Sequence, residues 1–307
     1  MPQRERKSID PVFYVVAAVL LWSTGGLFIK LTALDAYQVT FFRSLLAGLT
    51  VLILTRKSGL RINVFGLLVS CIYATLLFLF VWATKQTTAA NAIFLQYTAP
   101  VYILILAPFV IGEKFHLRDL LTVIFCIGGM SLFFVGDLTI GDYQGNLAAL
   151  GSGIFLGLYI MLLKHPRLTG IRAGQVETPG APLRPINPVI TVIYGNFLLA
   201  LVTLPSGIKA LPVMNAVDLF AVAFLGIVQI GIAYILFIKG VSGGTRPLDA
   251  SIIGFIEPLL NPVWVFLFIG EAPSRWAILG GTIIVATVVM HTVVQYRERN
   301  TDSKVGT

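Results

Sequence analysis

A chain of 307 residues that is 57% apolar and 12% charged lies outside the range of ordinary soluble domains, where about 25% of residues carry charge. Apolar runs near the roughly 20 residues that a membrane helix needs recur along its length, so it reads as an all-α, multi-pass membrane protein. The net charge of +8 fits the Lys and Arg that collect in cytoplasmic loops, and no nucleic-acid partner is expected.

The pattern predicts ten transmembrane helices: 11–29, 36–55, 62–84, 90–112, 120–136, 143–163, 188–208, 219–238, 250–270 and 276–296. These runs are too long, and too poor in period-two alternation, for the strands of an outer-membrane barrel. The basic start MPQRERKSID precedes a run longer than a signal-peptide core, so the first run is read as an uncleaved span. With the N-terminus inside, 17 of the 22 basic residues fall in cytoplasmic segments and 4 outside, with Arg43 within a span. Both termini are therefore expected in the cytoplasm. Segment 165–187 is Pro-rich and basic, and reads as a cytoplasmic linker without regular structure. Cys71 and Cys126 each sit inside an apolar run and read as small buried hydrophobes.

An internal repeat is visible at an offset of 158 positions. Ala92, Pro100, Ile111, Gly112 and Glu113 fall on Ala250, Pro258, Ile269, Gly270 and Glu271. The two segments are the fourth and ninth spans, five apart, and an odd separation makes them cross in opposite senses. Two inverted five-helix repeats follow, 1–141 and 142–307, an architecture that places substrate near the bilayer midplane.

Leu21-Trp22-Ser23-Thr24 and Arg43, the stretch Ala99 to Tyr102 with Gly112-Glu113, and Glu257-Pro258 with Gly270-Glu271 together give a pattern that resembles the EamA family of the drug/metabolite transporter superfamily. The resemblance runs over nearly the whole chain as two EamA-type repeats. It implies a ten-helix carrier for small metabolites, often amino acids or related compounds and often outward, here an exporter in a bacterial inner membrane. A nucleotide-sugar carrier or a lipid-linked sugar flippase of the same fold is the alternative.

Glu257 is the most informative residue, because a carboxylate at mid-span costs roughly 2.5–3.5 kcal/mol on insertion scales. Gly254, Glu257, Asn261 and Trp264 share one helical stripe, which suits a cavity wall. Glu257 reads either as a proton-coupling or substrate-ammonium site, or as a strut that satisfies freed backbone or pairs with Arg43. Arg43 has three readings: an ion pair with Glu257, a side chain reaching for the interface, or a contact for a substrate carboxylate. Trp22 and Ser23 either pack helices or line the path, and Gln96, Tyr97, Gln229 and Tyr234 are further intramembrane polar groups. Pro100, Pro258 and Pro262 are expected to kink their helices. Glu113 and Glu271 read as helix ends or gate residues.

Enzyme signatures are missing from the sequence. His116, His165 and His291 are dispersed, no cluster has metal-ligand spacing, and no glycine loop with a following Lys would bind nucleotide phosphates. No cofactor is expected, and neither a membrane enzyme nor a sensor is favoured. The expected partners are a small-molecule substrate, the lipid bilayer and protons as coupling ion. The sequence carries no mark of oligomeric state.

Overall fold

The computed structural model describes residues 9–132, 143–169, 186–269 and 275–305, and every regular element among them is a helix. Many of the helices begin at a side-chain cap, which supplies acceptors for the first free N–H groups. Asp10 caps α1 (Pro11–Trp22), and α2 (Gly25–Leu31) follows after a break. Asp35 and Gln38 form a reciprocal capping box on α3 (Ala36–Leu54). Asn63 caps α4 (Val64–Gln86) and Thr88 caps α5 (Ala89–Gln96). Then come α6 (Ala99–Val110), α7 (Leu117–Leu132), α8 (Tyr143–Leu162), the single turn α9 (Pro166–Thr169) and α10 (Val189–Ala210). Asn215 and Asp218 box the start of α11 (Ala216–Phe224), which runs through a π-helical stretch, Leu225–Ile232, into α12 (Ala233–Ser242). The chain continues as α13 (Pro247–Ile253), α14 (Ile256–Ile269) and α15 (Arg275–Val305).

Among the described residues, eight passages are long and apolar enough to cross a membrane: Pro11–Leu31, Ala36–Leu54, Val64–Gln86, Ala89–Val110, Tyr143–Leu162, Val189–Ala210, Ala216–Ser242 and Ile278–Arg297. The shorter α7 has 16 residues, and its expected run passes into residues outside the described ones. Large apolar side chains such as Phe13, Ile53, Phe109, Leu201 and Phe220 project outward, as expected of helices whose outer faces meet lipid. The chain is thus an integral, multi-pass membrane protein. Cys71 belongs to this outer face; it is exposed on α4, against the expected burial, while Cys126 is buried. The expected linker is not wholly irregular, since α9 lies inside it and Ile186 N–H bonds to Leu168 O at 3.1 Å. Its residues 170–185 lie outside the described ones.

Three runs expected as single helices are broken, and the breaks have local causes. A proline has no N–H for the carbonyl four residues earlier, so it loosens the helix one turn before itself. Pro100 leaves Gln96 O free, and α5 ends at Gln96. Pro258 leaves Gly254 O free, and that carbonyl accepts instead from Glu257 N–H at 2.8 Å, a tighter turn between α13 and α14. The two breaks lie 158 positions apart to within one residue. The α1–α2 break has no proline. Ser23 and Thr24 there donate their hydroxyls to Leu20 O and Leu21 O, at 2.7 and 2.8 Å, competing with the backbone ladder.

Helix packing follows a pattern of exchange. The most extensive pairings are α3 with α10, α4 with α8, α1 with α12, and α7 with α15. Close approach uses small residues: Gly129 of α7 faces the Gly280 carbonyl of α15, and Gly153 of α8 lies beneath the α5–α6 break. A Cβ at Gly153 would sit 2.8 Å from Gln96 O and 3.1 Å from Leu95 O, both backbone atoms. Gly153→Val is therefore expected to lower stability by about 1–3 kcal/mol, the range for overpacking, read as a lower thermal midpoint in detergent.

Candidate functional site

The breaks gather around one chamber at the middle of the bundle. Trp22 reaches it from the end of α1, Arg43 from the middle of α3, and Gln96 and Tyr97 from the α5–α6 break. Gln229 enters from the π-helical stretch, Tyr234 from α12 and Glu257 from the first turn of α14. Leu76, Leu77, Phe80, Leu156 and Ile230 complete the walls. These residues are brought together from more than 200 positions of the sequence. The chamber has a volume of about 30 Å³, room for about one water molecule and not for an organic solute.

Glu257 is 5% exposed, and its Oε2 accepts from the Tyr97 hydroxyl at 2.7 Å. It makes no ion pair with Arg43 among the described residues, so the expected strut between them is not formed in this conformation. Arg43 is 1% exposed and turned inward, which also sets aside the reading in which it reaches for the interface. Its Nε, Nη1 and Nη2 have no hydrogen-bond partner. Trp22 Nε1 and Gln229 Oε1 are likewise without partners, and Gln229 Nε2 makes only a long 3.5 Å contact with Trp22 O. Gln96 is better satisfied: its Nε2 donates to Ser152 Oγ at 2.7 Å, and Ser152 donates on to Leu76 O.

Trp22 packs on Tyr234 and Phe237, with ring centroids 4.9 and 4.8 Å apart, and Tyr234 meets Tyr73 at 4.9 Å. Beside the chamber, Trp264 Nε1 donates to Ser23 Oγ at 3.1 Å and joins α14 to the α1–α2 break. The helix break divides the expected stripe, because Gly254 falls at the break and Glu257 and Trp264 lie on α14 beyond it. The side chains of Asn261 and Pro262, and the whole of Glu271, lie outside the described ones.

Both ends of the bundle are tied by polar groups. At one end, Asp218 accepts from Thr32 Oγ1 at 2.7 Å and Ala33 N at 2.8 Å, and Lys85 Nζ donates to Thr32 O at 2.7 Å. At the other, Arg246 Nη2 meets Asp119 Oδ2 at 2.8 Å, with Glu113 Oε2 3.7 Å from its Nε and Asp249 Oδ1 3.8 Å from its Nη1. Asp249 continues to His291 Nε2 at 2.9 Å, and His291 Nδ1 lies 3.4 Å from Thr122 Oγ1. With its carboxamide oxygen turned toward the arginines, Gln295 accepts from Arg118 Nη2 and Arg246 Nη1. Burial raises the Glu113 carboxyl above its ordinary value of 4.5, against the opposing pull of Arg246 and Lys164.

The sequence reading missed this second cluster apart from Glu113. Asp119 and Asp249 each stand one residue before an expected span, and His291 is far in sequence from both. The usable signal was sidedness, since the positive-inside count puts the α6–α7 connection, the start of α13 and the end of α15 on one face. Among the described residues no group of three or more His, Cys, Asp or Glu could hold a metal ion.

Comparison with known proteins agrees with this architecture. Residues 11–135 match the EamA-like transporter family. The chain is 28% identical over 185 residues to human solute carrier family 35 member G1, a match covering 53% of this chain and 51% of that protein. It is 22% identical over 301 residues to the uncharacterized transporter YxxF of Bacillus subtilis, covering 94% and 91% of the two chains. An uncharacterized transporter of Archaeoglobus fulgidus is 25% identical over 285 residues, covering 90% and 94%. One protein crystal structure superposes with a TM-score of 0.71 over 92% of this chain and 97% of its own, at 19% identity, a likeness of fold alone.

Proposed function

We propose, for a chain whose residues 11–135 match the EamA-like transporter family, a secondary transporter that carries small polar metabolites by alternating access. The observation that carries this reading is the chamber. Eight polar or aromatic side chains from six helical segments meet there, around the breaks in the helices and away from both ends. Irregular backbone at membrane depth is tolerated where it lines such a space. Direction is read as export, and the setting as a bacterial inner membrane.

Two inverted five-helix units, 1–141 and 142–307, account for the packing. Exchanging each span with the one five places on turns the α1–α12 pair into the α8–α4 pair, and maps α3–α10 and α7–α15 onto themselves. That is the behaviour of a pseudo-two-fold axis in the membrane plane. The breaks at Gln96 and Gly254 are related by the same exchange. With both termini cytoplasmic, the Arg246 cluster closes the cytoplasmic end and the Asp218 cluster the outer one. The narrow chamber is then a closed intermediate, and transport opens one cluster at a time.

Glu257, hydrogen-bonded to Tyr97, is the candidate proton carrier; Arg43, Trp22, Gln229 and Tyr234 are candidate contacts for substrate, and Ser23 with Trp264 a clasp between α1 and α14. Arg43 is the one cation lining the chamber among the described residues, which favours a small metabolite over the diphosphate of a nucleotide sugar. Counterflow in proteoliposomes with a panel of amino acids and organic acids tests the function. Saturable exchange above protein-free vesicles is expected, and its absence across the panel, for protein shown to be folded, would sink the reading.

A further inference from the structure

We infer that Arg43 is the anchor for a carboxylate on the transported solute, an assignment that rests on the chamber being the transport site. The guanidinium is 1% exposed, and none of its three nitrogens has a hydrogen-bond partner. An arginine so placed carries a desolvation penalty that no hydrogen bond or ion pair among the described residues offsets. The carboxylate that shares the chamber is already engaged. Glu257, the one carboxylate lining the chamber among the described residues, bonds to the Tyr97 hydroxyl and makes no ion pair with Arg43. A second unmet donor, Trp22 Nε1, lines the same space.

Five N–H donors in a planar fork match the two oxygens of a carboxylate, a match that a lysine ammonium does not reproduce. Aromatic walls from Trp22, Phe80, Tyr97 and Tyr234 complete a site for a carboxylate joined to an apolar or ring-bearing group. The closed chamber holds no organic solute, so the anchor is offered when α14 moves away from α1. Two kinds of solute fit the charges present: a zwitterion whose ammonium faces Glu257, or a simple carboxylate.

Three compounds that share a phenyl ring separate these cases: 3-phenylpropionate has only the carboxylate, phenethylamine only the ammonium, and L-phenylalanine both. Thermal midpoints of the full-length protein in detergent are read with each compound. Arg43→Met is expected to raise the ligand-free midpoint by removing an unpaired buried charge, and to abolish the response to both carboxylates. Arg43→Lys should retain a weakened response, and it serves if Arg43→Met does not fold. A wild-type midpoint raised by 3-phenylpropionate and L-phenylalanine supports the anchor, and a rise with L-phenylalanine alone assigns it to zwitterions. A wild-type midpoint that neither carboxylate moves overturns it, as does an equal response to phenethylamine or a full carboxylate response in both variants. Counterflow that persists unchanged in Arg43→Met would leave the transport function standing and remove Arg43 from it.

Discussion

Glu257→Gln is expected to leave a folded transporter that no longer responds to a pH gradient. The substitution is close to isosteric, and the amide oxygen can still accept from the Tyr97 hydroxyl, which now lies 2.7 Å from Oε2. Packing around the first turn of α14 should therefore persist, with a thermal midpoint near that of the native chain. On the proposed reading the carboxyl takes up and releases a proton as the chamber faces one side and then the other, and the amide has no such proton. Gradient-driven accumulation in proteoliposomes should fall to the level of protein-free vesicles, while exchange between equal pools of substrate continues. Tyr97→Phe sharpens the test, because it removes the donor and keeps the carboxyl, so coupling should be altered in degree and not abolished. Gradient-driven transport that survives Glu257→Gln intact would reduce Glu257 to a strut at the helix break.

Much of the fold was legible because a membrane helix announces itself by length and apolarity, and most expected spans are helices at nearly the expected positions. The breaks were legible only in part. Pro100 and Pro258 mark the helices that bend, but the break falls a turn earlier, at Gln96 and Gly254, where the missing N–H is felt. The Ser23–Thr24 break has no such marker, only two hydroxyls whose choice between solvent and backbone is settled by packing. Arg43 and Glu257 could be placed at membrane depth from the sequence, yet whether they touch depends on how α3 and α14 are set in the bundle, which hydropathy does not carry. The Arg246 cluster was hidden for a different reason. Its members are ordinary helix flanks, 113 to 295 in the chain, and become a network only once α7, α13 and α15 are set side by side.

That cluster yields the largest expected effect on stability. Arg246→Ala removes the cation that faces three carboxylates and leaves Asp119, 1% exposed, without its 2.8 Å partner. Breaking a buried pair by deleting one member costs about 3 kcal/mol, taken at the lower end of the range because Arg246 is itself 24% exposed. The deficit should also depend on pH, with a definite sign. Burial holds the native Glu113 carboxyl above its ordinary 4.5, so the native state binds this proton more tightly than the unfolded chain does. Its contribution is full below 4.5 and is lost as pH rises through the raised native value. Arg246 pulls that value down and so limits the loss. Without Arg246 the window widens upward, and the carboxylates it faces repel one another once ionised. The difference in thermal midpoint between native chain and variant should therefore be small in acid and grow toward neutral pH, whereas Arg246→Lys should show a weaker form of the same trend. A deficit that stays constant with pH would mean that Arg246 acts through packing alone. In vesicles the same loss should favour the conformation open at this end of the bundle, because Arg246 joins the α6–α7 connection to the start of α13 there. On the proposed alternating-access reading the cluster is a latch between the two halves of the chain, and that shift in conformation is the result that would mark it as one.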